Sequence, residues 1–343
     1  MLRNYLTSSM RNLLHKSYTV KLWYLIVPML ILISLGILYW RVERRKQVIA
    51  KPSLPEEIVF VRSDDDIVNG GVMFSPGKKP VKPAAIIWIH GWGVNFYLPS
   101  YVGIGRARAE RGYTTISANT RMHDIGNVEG HKWGKRIRGG GYWGIASDEV
   151  HDLAAWIDFA ESQGYKHVIL VGHSAGWSAV RWYQTQIQDK RVIGLISASG
   201  SISPDTRPVD STQLVQALRM MADGEGEDLI KDPKRSFPSF ISAATYMDIV
   251  NAPPGQKDFF GFNSPNSGIT KIECPILAFF GTRGDVGDEA ELQSLKACIK
   301  KQPSLKSKIS TTLIKNADHM YEGEEEQVSE KITTWADDIL TGK

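Results

Sequence analysis

Val168–Gly176 reads VILVGHSAG, and this stretch decides the fold. Val168 to Val171 form a branched, apolar strand, and a helical pattern takes over at 176–188. A serine between the two sits on a sharp strand-to-helix turn, where its backbone is strained and bulky neighbours would collide. Gly172 and Gly176 supply the room, so the turn is predicted to raise the Ser174 hydroxyl above the end of a sheet.

Working outward, Ala84–Ile89 (AAIIWI) is a continuous apolar run, as expected of a strand buried on both faces. Further strands are predicted at Thr114–Asn119, His167–Val171, Val192–Ser197, Ile276–Phe280 and Thr311–Ile314, with helices near 99–111, 147–163, 176–188, 288–300 and 325–340. Ser147, followed by Asp148 and Glu149, reads as a capped helix start. Ile58–Arg62 and Val68–Phe74 read as an antiparallel pair joined at the acidic turn Asp64–Asp66. Alternation of this kind builds a mostly parallel sheet with helices on both faces. The stretch 200–273 breaks it. Leu214, Val215, Leu218 and Met221 share a helical face, Phe240–Val250 suggests a second helix, and an insertion this long between strands reads as a lid.

Three residues then fall into order. Asp285 follows the late strand Ile276–Phe280, and His319 follows the last one. A nucleophile, an acid and a base in the chain order Ser174, Asp285, His319 form a triad in which the acid orients the imidazole that accepts the serine proton. Acyl transfer also needs backbone N–H groups aimed at a developing oxyanion. By position these are the amides of Trp92, in the His90-Gly-Trp-Gly93 loop after the first buried strand, and of Ala175. His90 reads as a structural histidine. Asp288 and Asp205 are rivals to Asp285, and Asp318 reads as a turn residue.

The segments HGWG (90–93), GHSAG (172–176), GTRGD (281–285) and ADH (317–319) stand in the order of the α/β-hydrolase superfamily, which the chain resembles over about 55–341. The resemblance implies an α/β fold with an eight-stranded, mostly parallel sheet and a helical lid. It also implies cofactor-free Ser–Asp–His hydrolysis of an ester, thioester or amide. Serine at the elbow separates the chain from epoxide hydrolases and dehalogenases, which carry aspartate there. An acyltransferase or amidase on the same triad, or an inactive binding protein of this fold, are the alternatives.

Charge separates the chain's beginning from the rest. Of 41 Lys and Arg and 37 Asp and Glu, residues 1–51 hold nine and one, leaving 32 and 36 beyond them, a net charge of −4. A mildly acidic domain lacks the positive field that nucleic acid requires. Leu22–Trp40 is an uncharged run of 19 residues, bracketed by Lys21 and Arg41 and by Trp23, Tyr24, Tyr39 and Trp40. As a helix it would span about 28 Å, close to the hydrocarbon thickness of a bilayer. It reads as an uncleaved anchor between a basic tail (1–21) and a basic linker (41–54). The protein is thus expected to be single-pass, its hydrolase domain leaning to the cytosolic side by the distribution of basic residues; the tail also has the composition of an organelle-targeting peptide.

Other features point less sharply. The Gly-rich segment 121–144 carries Arg121, Lys132, Lys135, Arg136 and Arg138, an anion site or a solvated loop, but no P-loop because the GK[ST] ending is missing. His123 and His131 do not make a metal site, and Cys274 and Cys298 are read as free thiols. Phe237, Phe240, Tyr246, Phe259, Phe260 and Phe262 either line an acyl pocket or pack the lid.

Overall fold

Along β3 (Ala84–Ile89) every side chain is buried, and successive residues face opposite ways: Ala85, Ile87 and Ile89 into one core, Ile86 and Trp88 into another. A strand with two apolar faces belongs in the middle of a covered sheet. In the computed structural model, which describes residues 24, 26–36, 39, 54–77, 81–132, 135–206, 208–231 and 240–342, β3 lies there.

The chain divides into two compact units, Met1–Ser53 and Leu54–Lys343. In the second, β1 (Glu56–Arg62) and β2 (Val68–Phe74) pair antiparallel, with Val59 opposite Gly71. β2 is also antiparallel to β4 (Thr115–Ala118). All further contacts in this sheet are parallel: β4 with β3, β3 with β7 (His167–His173), β7 with β8 (Val192–Ala198), β8 with β11 (Ile276–Gly281), and β11 with β12 (Ile309–Ile314). The eight strands thus run in the order β1-β2-β4-β3-β7-β8-β11-β12. One face is covered by α1 (Pro99–Glu110) and α8 (Glu325–Thr341), through Tyr101, Ile104, Val328 and Ile332. The other is covered by α2 (Glu149–Ser162), α3 (Gly176–Ile187) and α7 (Glu289–Lys300), through Trp156, Val180 and Leu295.

Several boundaries depart from the sequence expectations. Ser147 is no side-chain cap: a 3-10 turn, Ala146–Asp148, precedes α2, and the cap position, Asp148, makes no side-chain capping bond. The Gly-rich segment forms an antiparallel hairpin, β5 (Asn127–Lys132) with β6 (Lys135–Gly139), bulged between Val128 and Gly130. In the insertion, α4 (Ser211–Ala222) forms as the periodicity predicts, but it buries Ala217 and leaves Val215, Leu218 and Met221 exposed. Phe240–Val250 is not one helix. Phe240–Ser242 is strand β10, paired with β9 (Leu229–Lys231), and the Ser242 hydroxyl caps α5 (Ala243–Asn251) by accepting from Thr245 N–H. A short helix, α6 (Pro254–Lys257), follows. Ala217, Ile230 and Ala243 form a small core of their own, whereas Phe259, Phe260, Ile269 and Ile272 join the core beneath the sheet.

In the N-terminal unit, residues 24, 26–36 and 39 are helical, and large apolar side chains from Ile26 to Leu35 are exposed. Among the described residues no helix is long and apolar enough to cross a membrane. The expected span 22–40 falls partly outside them, as do the tail 1–21 and most of the linker 41–54.

Candidate active site

Ser174 follows β7 directly and takes the left-handed backbone conformation, φ 53°. This conformation costs a side-chain-bearing residue free energy and persists where the surroundings enforce it. Here the enforcement is close packing: a Cβ on Gly172 would stand 2.4 Å from the Gly176 carbonyl oxygen, and one on Gly176 would stand 2.4 Å from that of His90. The second contact also brings the loop after β3 against the elbow. Ala175 then opens α3 and is exposed, and Trp92 leaves the β3 loop half-buried, its indole N–H donating to the Gly141 carbonyl at 3.1 Å.

His319 and Asp285 arrive from the ends of β12 and β11. His319 Nε2 is 3.1 Å from Ser174 Oγ, and Nδ1 is 2.8 Å from Asp285 Oδ1. The Asp285 side chain is fully buried. Burial alone would raise its pKa, but it accepts four hydrogen bonds: from His319, from Ser199 Oγ at 2.5 Å, and from the Gly281 and Val286 amides at 2.6 Å each. Together these donors hold the carboxyl below its ordinary range. In this arrangement a serine proton can pass to an imidazole whose far N–H is already fixed on a carboxylate.

A second histidine lies beneath the first. His173 Nε2 is 2.8 Å from the His319 carbonyl oxygen, which can only accept, so Nε2 carries the proton. Nδ1 then accepts from the Tyr101 hydroxyl at 2.6 Å, and that hydroxyl accepts from Gly91 N–H at 3.2 Å. Complete burial, then the nearby His319, push the His173 pKa down to about 3, so the ring is neutral. Tyr321 completes the floor, its hydroxyl 2.5 Å from Ser199 Oγ. Ser199 and Tyr321 are left-handed like Ser174, φ 51° and 59°. Sequence reading missed Tyr101, His173, Ser199 and Tyr321 as parts of the site. Only His173 carried a signal, being a polar residue at the end of an apolar strand.

The remaining candidates find other partners. His90 is structural: Nδ1 donates to the Gly91 carbonyl at 2.7 Å, Nε2 accepts from Thr120 N–H at 3.1 Å, and burial pushes its pKa down to about 4. Thr120 Oγ1 in turn donates to the buried Glu149 carboxyl at 2.6 Å. Asp288 caps α7, and Asp318 pairs with Arg283 at 3.0 Å and caps its own turn. Asp205 lines a cavity beside α3. Arg121 is withdrawn from any anion site: it is buried against Asp152 and Asp65, at 3.0 and 2.8 Å. Arg138 lies over the Trp143 ring, while the side chains of Lys132, Lys135 and Arg136 lie outside the described residues. So does Phe237. Phe259 and Phe260 pack against Trp177 in the main core. No cluster of metal-ligating side chains occurs among the described residues.

No family model matches the chain, and no curated protein matches it. Solved structures do. Est1E from Butyrivibrio proteoclasticus, bound to ferulic acid, is 14% identical with a TM-score of 0.57, over 82% of this chain and 99% of that one. DcsB in complex with its substrate analogue is 13% identical with a TM-score of 0.58, over 83% and 99%. An esterase domain from Rhodothermus marinus is 15% identical with a TM-score of 0.52, over 82% and 98%. The fold is that of the α/β-hydrolases. In an α/β-hydrolase fold the ends of successive parallel strands meet at one rim, which is how β7, β11 and β12 bring together residues as far apart in sequence as Ser174 and His319.

Proposed function

We propose that the protein is a serine hydrolase that cleaves a carboxylic ester or thioester through an acyl-enzyme on Ser174. The observation that carries this reading is the continuous line Ser174 Oγ, His319 Nε2, His319 Nδ1, Asp285 Oδ1, at 3.1 and 2.8 Å. Ser174 Oγ attacks the substrate carbonyl carbon and His319 Nε2 takes its proton; Asp285, held ionised by its four donors, stabilises the imidazolium. The carbonyl oxygen becomes an oxyanion facing the amides of Trp92 and Ala175. Collapse expels the alcohol or thiol, which takes the proton from His319. Water, deprotonated by the same nitrogen, then releases the acid. The esterases among proteins of similar fold, and the ferulic acid bound to one of them, favour a small-molecule ester.

The reading extends to location. Residues 22–40 act as a membrane anchor, supported by the length of the apolar run and by the exposed apolar side chains of its helical residues. The domain then works on lipophilic esters at a membrane surface, and the basic residues of 41–46 favour the cytosolic face of the plasma membrane or of an organelle membrane. A fluorophosphonate probe tests the chemistry. It should label wild-type protein and leave Ser174→Ala unlabelled; equal labelling of both would overturn the assignment.

A further inference from the structure

β1 (Glu56–Arg62) is one edge of the eight-stranded sheet, bonded to β2 on one side and, among the described residues, to no strand on the other. Its hydrogen-bonding phase follows from its two ends. Ser63 N–H donates to the Ile67 carbonyl at 2.9 Å and Ser75 N–H to the Pro55 carbonyl at 3.0 Å, and the register between them runs without a bulge. Residues 57, 59 and 61 therefore turn their main-chain groups toward β2, while Glu56, Ile58, Phe60 and Arg62 turn theirs outward. An unpaired row of N–H and C=O groups is a template for another strand.

The side chains of this edge do not guard it. Charges and prolines along an edge discourage pairing, but β1 confines its charges to its ends, Glu56, Glu57 and Arg62, and has none from Ile58 to Val61. Ile58 is 61% exposed and Phe60 68%. The Phe60 ring lies over Gly70 beside Phe96, and Phe96 meets Tyr97, itself 59% exposed, edge to face. At the opposite edge, β12 exposes no large apolar side chain.

The strand is also complementary to itself. Laid antiparallel against a second copy over its full length, EEIVFVR sets Val59 against Val59 on a two-fold axis, Ile58 against Phe60, and Glu56 against Arg62. The last two pairs occur twice, once on each side of the axis. In this register outward-turned groups meet outward-turned groups, so both are hydrogen-bonded pairs. Val59 with Val59 is then a close non-bonded pair, its Cα atoms about 4.5 Å apart. Apolar side chains and opposite charges directly across from each other stabilise paired strands. The charged ends can take up these contacts. Arg62 has only exposed partners, the Asp66 carbonyl at 3.3 Å and carboxylate at 3.9 Å. Glu56 holds Arg106 at 2.5 Å, and a carboxylate has lone pairs for a further donor. A lipid surface is a poorer match, because the turn beside the strand carries Asp64, Asp65 and Asp66 and cytosolic leaflets are anionic.

We propose that the protein forms a two-fold homodimer in which β1 pairs antiparallel with β1 of a second copy, joining two eight-stranded sheets into one. The full chain in detergent provides the test. Under mild oxidation Val59→Cys should form an interchain disulfide. Ile58→Cys and Phe60→Cys should not rise above the background that Cys274 and Cys298 give in the wild type, because each lies diagonally about 7 Å or more from its own copy. Native mass spectrometry of the wild type should show two chains. Arg62→Glu sets acid against acid twice per dimer and should weaken association about tenfold or more. Ile58→Lys puts a charge in the middle of the edge and should do the same. Both side chains are exposed in a single copy, so the thermal melts of these variants should stay cooperative. A dimer that ignores both substitutions, or cross-linking at 58 or 60 in place of 59, overturns the proposal. A wild type that stays monomeric overturns it too and leaves the lipid surface as the occupant of this edge.

Discussion

The imidazole of His173 holds the main chain of His319, its Nε2–H donating to the His319 carbonyl at 2.8 Å. Through the Tyr101 hydroxyl the same ring is tied to Gly91 N–H. One unbranched chain of three hydrogen bonds therefore ties the loops after β3 and β12 to His173, the last residue of β7. The two loops carry the proposed oxyanion donor and base, and the nucleophile is the residue after His173.

Replacing His173 by Phe keeps a flat buried ring and removes both bonds. We expect kcat to fall about 10- to 100-fold with KM changed less than about threefold, because small displacements of a catalytic group act on the chemical step. Fluorophosphonate labelling should slow in parallel while the thermal melt remains cooperative. A variant with normal labelling kinetics would reduce His173 to a packing residue.

Ser174→Ala should lose at least about 10⁴-fold in esterase kcat. Ser174→Gly should be equally inactive yet more stable than Ser174→Ala by about 1 kcal/mol, because glycine adopts φ 53° without strain. Urea denaturation of the two variants compares them directly.

Asp285→Asn introduces an amide where four donors converge, and His319→Ala removes the base. Each should lower kcat about 10⁴-fold, and neither should add appreciably to Ser174→Ala, since the three residues act as a unit. If Asp285→Asn retains near-normal kcat and Asp205→Asn does not, the acid follows β8 rather than β11.

Glu149 gives a pH signature. Burial raises its folded-state pKa to about 8 from an ordinary 4.5, so between those values the folded state holds a proton that the unfolded state has released. Stability therefore falls as pH rises through that window, by up to about 1.4 kcal/mol per pH interval of one. Glu149→Gln keeps the acceptor for Thr120 and removes the titration. It should match the wild type near pH 4.5 and exceed it at pH 9; parallel stability curves for the two would contradict the assignment.

Removing residues 1–53 should leave a folded protein that hydrolyses short soluble esters about as well as the full chain, because the whole sheet and triad lie in Leu54–Lys343. The full chain should resist carbonate extraction from membranes. Recovery of the full chain in the carbonate supernatant would argue against an anchor.

Local signals carried much of the architecture into the sequence. Apolar runs marked the strands, and Ser174, Asp285 and His319 stood out because each follows the C-terminal end of such a run within a few residues. Tyr101, Ser199 and Tyr321 were illegible for the opposite reason. Their roles come from contacts across 72, 86 and 122 positions of sequence, which no local pattern records. The β5–β6 hairpin was hidden by composition: glycine and charged residues have poor strand propensity, and only pairing with each other makes them strands. Ser147 looked like a cap, but its amide is bonded to Asp248 of the insertion instead, a long-range contact overriding a local preference.

The insertion is built in two parts with different dependencies. Phe259, Phe260, Ile269 and Ile272 are foundations sunk into the core under the sheet, whereas Ala217, Ile230 and Ala243 close a small core of their own. Residues from α4 to α5 therefore behave as a module that evolution can exchange without renegotiating the sheet. Ile249 lies in that module and Gln256 in the short helix after it, so a swap there would reshape the cavity beside α3 and leave the sheet that carries Ser174 as it was.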